Sequence, residues 1–245
     1  MLYPQRVARN ARNNPIFGLG IGLAPSPYQE EAAVVNAAHV QHTQNQYASS
    51  SSARTLAFPS NVTAGNFLVA AVTTYDSSTV TTTLTDSLSQ TWSVIGPARY
   101  STQNTACWLY YYPNTLGGAN TVTVTPNATV LMSIIVAEFS GVGLVSPLQQ
   151  SVTVNNSQSQ QSVYVGPIGQ PTTPNISFVA VGFSGATASW CLPDSGYSML
   201  GQLTIGLNNA GGFLGFKVNE VSDYGMLLTT DVAAYFAGVL GVFSG

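Results

Sequence analysis

From Arg54 onward the chain is a succession of short segments in which apolar and polar residues alternate or apolar residues run together. They are Thr55 to Phe58, Asn66 to Tyr75, Val80 to Leu84, Thr91 to Ile95, Ala106 to Tyr112, Thr121 to Thr125, Leu131 to Phe139, Leu148 to Val154, Gln161 to Val165, Ile176 to Phe183, Met199 to Leu207, Phe213 to Val218 and Val232 to Phe243. Val, Ile, Thr, Tyr and Phe dominate these segments, as a pleated, half-buried surface requires. Turn residues separate them at nearly even intervals, among them Pro59-Ser-Asn, Asp86-Ser-Leu-Ser, Gly117-Gly118, Pro126-Asn127, Pro193-Asp194 and Gly211-Gly212. The 3.6-residue period of an amphipathic helix is missing from this stretch. The pattern predicts an all-β fold, a single large antiparallel β-sandwich. Long connections such as Asp76 to Gln90 suit jelly-roll-like crossovers better than a meander.

The last segment, Ala233 to Phe243, is apolar on both faces: Tyr235, Ala237, Val239 and Gly241 share one, and Phe236, Gly238, Leu240 and Val242 the other. A strand of this kind has to be enclosed on both sides. Two halves, 54–143 and 144–245, can be drawn, but a chain ending in its own core is expected to fold as one domain, placed here at residues 49–245.

Residues 1–48 differ in kind. Arg6, Arg9 and Arg12 are three of the chain's six basic residues, and Phe17, Leu19, Ile21 and Leu23 alternate with glycine along an extended strip. Pro4, Pro15, Pro25 and Pro27 interrupt any long helix. This stretch reads as an extended N-terminal docking arm. The arginines suit partner carboxylates, and the four apolar residues offer one edge for strand addition to a neighbour. Glu30 to Val40 fits either a short helix or a first strand, and Tyr47 to Ser52 reads as a polar linker.

Charged residues make up 6% of the chain, against about 25% in ordinary soluble domains, so solubility rests on hydroxyl and amide side chains. Such a surface suits a permanently packed subunit or an extracellular protein better than a free cytosolic enzyme. A net charge of −3 gives no general attraction to nucleic acid or anionic lipid. No apolar run reaches the 18 or so residues that span a bilayer, and the first fifteen residues lack the apolar core of a signal peptide. Export by another route, such as lysis, is therefore expected.

Thr63-Ala-Gly-Asn66 before the apolar run Phe67 to Val72, then Thr85-Asp-Ser-Leu88, Gly118 to Val124, Glu138-Phe-Ser-Gly141 and a closing apolar strand follow one another in that order. In this order they resemble a recurrent jelly-roll-like module of tailed-phage virion proteins and bacterial surface proteins, over residues 54 to 245. The resemblance implies a β-sandwich without assigned catalytic activity, and it does not extend to the arm.

The residues that carry chemistry are sparse. A nucleophile and base need a histidine, and His39 and His42 both precede the sandwich. On a helix their spacing would suit two metal ligands, but no nearby Cys or carboxylate completes a site, so no metal and no cofactor is expected. Glu138 interrupts an apolar strand and Asp194 lies in a Pro-Asp loop; nothing in the sequence joins them into the carboxylate pair of a glycosidase. Asp76 and Asp86 fall in turns, where Asp caps its own backbone. Cys107 and Cys191 fit either two buried thiols or a cross-strand disulfide. Trp108, Tyr110 and Tyr112 share one face of a strand whose other face is also bulky, a core pattern. Trp190 and Tyr197, flanking the Pro-Asp loop, are the better candidates for exposed rings that stack on a sugar.

These readings lead to an expected function. The chain is a non-enzymatic virion structural protein, a capsid decoration or surface component anchored by its arm to other subunits and to copies of itself. It sits on the virion surface, outside the cell after assembly. Two alternatives are a carbohydrate-binding or adhesion module of a phage fibre or bacterial surface, which would bind host-surface glycans, and a glycan-active enzyme.

Overall fold

The structure, a computed structural model, describes residues 37–75, 79–100, 104–156, 158–169, 171–172, 174–185, 189–194, 196–203, 210–218 and 225–245. No helix occurs among them. The strands are β1 (Ala38–Ser51), β2 (Arg54–Ala57), β3 (Phe67–Tyr75), β4 (Thr82–Asp86), β5 (Ser93–Tyr100), β6 (Thr105–Tyr112), β7 (Thr121–Pro126), β8 (Val130–Ser140), β9 (Leu148–Asn155), β10 (Gln160–Val165), β11 (Asn175–Ser184), β12 (Cys191–Pro193), β13 (Ser198–Leu203), β14 (Gly211–Val218) and β15 (Met226–Ser244). Residues 33–245 form one compact unit, and the described residues all belong to it.

Three antiparallel sheets account for the architecture. The first, ordered β1-β8-β3-β6-β5, and the small third, β2-β7-β4, both come from the first half of the chain, whose strands cross repeatedly from one sheet to the other. The second, ordered β10-β15-β11-β14-β13 with β9 and β12 also paired to β15, comes from the second half. The two halves of the sequence therefore supply opposing sheets of one sandwich, and they share the core between those sheets.

Three apolar cores follow from this layering. Core 1 lies between the first and second sheets and holds Phe67, Leu109, Phe139, Phe178, Val239 and Phe243. In it Phe178 packs 4.8 Å from Phe139 and 5.7 Å from both Phe67 and Phe243, ring centre to ring centre. Core 2 lies between the first and third sheets, around Leu68, Trp108, Tyr110, Ile134 and Val124. Core 3 lies under the outer part of the second sheet, around Val163, Phe183, Cys191, Phe213, Met226 and Phe236. A sheet between two cores needs apolar residues on both faces of its strands, and for this reason β3, β6, β8 and β11 are continuous apolar runs.

β15 is the longest strand and bounds two of the cores. Met226, Leu228, Thr230, Ala234, Phe236, Leu240 and Val242, all on one face, are buried, and six of them line core 3. On the opposite face Ala237, Val239 and Phe243 enter core 1, whereas Leu227 and Ala233 are exposed. One face of one strand is thus covered by the first sheet at its end and open at its beginning.

β1 corrects the reading of the N-terminal segment. Of the residues read as a linker, Tyr47 to Ser52, all but Ser52 continue the strand, and the domain boundary drawn after residue 48 falls inside it. An edge strand requires backbone pairing more than apolar side chains, and β1 obtains that pairing from β8. Its polar side chains reach across the sandwich: Gln44 donates to the Gln202 carbonyl at 3.2 Å and Gln46 to the Ala210 carbonyl at 2.9 Å. Tyr47 packs on core 2, with the Arg54 guanidinium 4.8 Å above its ring. Arg6, Arg9, Arg12, Phe17, Leu19, Ile21 and Leu23, the expected docking residues, lie outside the described residues.

Candidate functional site

The outer face of β10, the first half of β15 and β12 collects exposed apolar side chains. β12 pairs with β15 through Cys191↔Thr230, Leu192↔Thr229 and Pro193↔Leu228. Alternation along β12 sends Cys191 into core 3 and leaves Trp190 and Leu192 outside, 43% and 56% exposed. On β15 the same parity exposes Leu227, with Thr229 and Asp231 half-buried beside it. β10 adds Tyr164 opposite Leu227 and Ser162 opposite Thr229. Rings and branched aliphatics thus share one face with hydroxyls and an acid. At strand spacings of about 4.8 Å and rises of about 3.4 Å per residue, the face measures roughly 10 Å by 14 Å.

Backbone and side-chain bonds hold this face in place. The Ser189 N–H donates to both oxygens of Asp231, at 3.1 and 3.0 Å, and fixes the chain just before Trp190. Gln202 of β13 bridges β12 from beneath, accepting from the Cys191 N–H at 3.1 Å and donating to the Ser189 carbonyl at 3.3 Å. The Asp194 N–H donates to the Leu227 carbonyl at 2.8 Å and closes the far end.

Of the two rings expected at this loop, Trp190 is exposed and Tyr197 is not. Tyr197 is only 8% exposed: its ring fills core 3, its hydroxyl lies 3.1 Å from the Ser177 hydroxyl, and the Lys217 ammonium sits 5.5 Å from its ring centre. A buried polar partner for the phenol lets a loop tyrosine turn inward. Leu192 takes the place beside Trp190 that Tyr197 was expected to fill, with Leu227 farther along the same face. Alternation would have flagged Leu192, two residues after Trp190. Leu227 joins only through pairing.

The other candidates are built into the fold. Trp108 and Tyr110 are buried in core 2, as the two-faced strand implied. Glu138 is fully buried, and its carboxylate accepts from Gln41 Nε2 at 2.5 Å, the Thr63 N–H at 2.8 Å and Asn66 Nδ2 at 2.6 Å. Asp194 follows β12 on the second sheet, whereas Glu138 lies on β8 of the first, so the structure does not bring these acids together as a pair.

Asp86 accepts five hydrogen bonds, from the Leu88 and Gln90 backbone N–H groups and from the side chains of Gln90, Trp92 and Asn120. Burial pushes its carboxyl up, but the bonds from Gln90, Trp92 and Asn120 outweigh burial and hold it below the ordinary carboxylate value. Asp76 lies outside the described residues. Cys107 and Cys191 are free and buried in different cores. Burial, helped by the Asp231 charge, pushes the Cys191 thiol up to about 12, and burial raises Cys107 further still. Neither is a thiolate at neutral pH. Among the described residues no three His, Cys, Asp or Glu side chains gather where they would hold a metal, and no helix is long and apolar enough to cross a membrane.

Comparison of the chain with protein-family models, with curated proteins and with solved structures returns no match.

Proposed function

We propose that this chain is a non-enzymatic structural subunit, a decoration or surface component of a virion, with its N-terminal residues as attachment and its β-stack as the displayed body. One observation carries the reading: three of the four acids among the described residues are used to hold the fold. Asp86, Glu138 and Asp231 each accept hydrogen bonds from the protein's own N–H groups, and both thiols are buried. A charged fraction of 6% accords with a subunit packed among neighbours. Deleting residues 1–27 stops well before β1 and should leave a folded, monomeric body that no longer joins its particle, counted per particle by quantitative mass spectrometry. Incorporation of the truncated chain at normal copy number would place the attachment in the β-stack and overturn this division of labour.

The open face supports a second reading, carbohydrate recognition by the displayed body. A face of roughly 140 Å² is far below the ~800 Å² per partner of a stable protein interface, yet spans a few sugar rings. Trp190 offers a ring to stack on and Thr229 and Ser162 offer hydroxyls. Stacking on an exposed ring contributes about 1 kcal/mol, so each copy binds weakly and many copies are needed for avidity. On a glycan array presenting the assembled protein, Trp190→Ala with Leu192→Ala should abolish any signal. A signal that survives both changes would move recognition elsewhere.

A further inference from the structure

His39 and His42 are the only histidines in the chain, and both lie on β1. Three residues apart on a regular strand, they would point to opposite sides of the sheet. They do not, because β1 carries a bulge. His39 pairs with Phe139 and Gln41 with Glu138, leaving Val40 as the extra residue, and His42 then pairs with Ala137. Phe139 and Ala137 both face core 1, so the bulge turns the two imidazoles onto one side of the strand. Re-aiming a side chain is a recurrent use of bulges.

The two rings then converge. His39 Nε2 and His42 Nδ1 are 3.1 Å apart, with ring centres 5.0 Å apart. His39 is backed by Phe139, edge-on at 5.5 Å, and by Phe216, stacked at 6.5 Å, while both histidines keep an exposed side. Two nitrogens at this separation, each about 2.05 Å from a common ion, subtend roughly 100° at it, between the octahedral and tetrahedral angles. A neutral imidazole has one ring nitrogen with a lone pair to give.

We infer that His39 and His42 form a two-imidazole site for a late first-row divalent ion such as Zn²⁺, Ni²⁺ or Cu²⁺, displayed on the edge of the first sheet. Imidazole nitrogen selects these ions over Mg²⁺ and Ca²⁺, which prefer oxygen. No third His, Cys, Asp or Glu joins the pair among the described residues, so water or a donor from another molecule completes the coordination. Sequence spacing alone hides the pair, because only the bulge at Val40 brings residues three apart on a strand to one side.

The test is calorimetric titration of the untagged full chain with ZnCl₂, NiCl₂ and MgCl₂, alongside the electron paramagnetic resonance spectrum of its Cu²⁺ form. His42→Gln removes one nitrogen at an exposed position. His39→Phe removes the other while keeping a ring against Phe139 and Phe216, so that packing survives. The expected result is one saturable Zn²⁺ and Ni²⁺ site per chain, no Mg²⁺ binding, at least tenfold weaker binding in each variant, and a Cu²⁺ spectrum with two imidazole nitrogens that falls to one. Absence of saturable binding would mean that the two rings are a hydrogen-bonded pair and nothing more. Binding equally tight in either variant would place the ion elsewhere. Either result overturns the inference.

Discussion

Asp86 illustrates how a single residue can be both a turn former and a structural hub. Its position in a turn was legible, because Asp in a turn accepts from the N–H two residues on, as it does from Leu88 at 3.1 Å. What the turn chemistry does not reveal is that Trp92 and Asn120, one from the adjoining loop and one from before β7, donate to the same carboxylate at 2.9 and 3.2 Å. A carboxyl held below its ordinary value contributes stability that is complete above the unfolded carboxylate range and is lost as pH falls through the lowered folded-state value. Asp86→Asn keeps the shape but turns an amide N–H toward other donors. It should cost about 1–3 kcal/mol near pH 7 in urea unfolding, and the deficit should shrink as pH is taken from 6 toward 2. A constant deficit across that range would show that the charge on Asp86 is not what the donors recognise.

Among the elements, β15 has the largest share in the architecture. It pairs with β9, β10, β11 and β12, and its two faces supply core 3 along its length and core 1 over its last third. The two-faced composition of Ala233 to Phe243 announced a central strand, and the structure places it between β9 and β11. The strand also begins earlier, at Met226. Ending the chain at residue 230 would remove Phe236, Leu240, Val242 and Phe243, all fully buried, at a cost of about 2–5 kcal/mol for each large side chain. That sum, about 8–20 kcal/mol, is as large as the 5–15 kcal/mol by which a domain is ordinarily stable, so residues 1–230 should give no cooperative thermal transition by circular dichroism. A sharp transition in that fragment would show that cores 1 and 3 close without the strand. β1 is the opposite case: its polar sequence hid a strand because an edge needs backbone partners, and those lie about ninety residues away on β8.

At the scale of the whole molecule, three cores stacked through shared sheets explain a composition that is 45% hydrophobic in a chain with little charge. Each inner sheet is buried on both faces, leaving hydroxyl and amide side chains on the outer ones. The layering also fixes where the molecule can present a face. Where β15 extends beyond the cover of the first sheet, the side that elsewhere forms core 1 becomes the open surface bearing Leu227, on the same face as Leu192 and Trp190. A recognition face placed there needs no loop to support it, because β10, β15 and β12 hold it from below.

By itself the sequence determined the class of fold, the position of most strands, the two-faced character of β6 and β15, and the structural destiny of Trp108, because period-two alternation and unbroken apolar runs are local consequences of burial on one face or two. Only the tertiary structure decided which strands oppose one another, that β1 begins the sandwich, that Tyr197 turns inward while Leu192 and Leu227 stay out, and that a bulge brings His39 to His42. Each of these depends on a partner far along the chain, and pairing register and the cover over a given face leave no trace in local pattern.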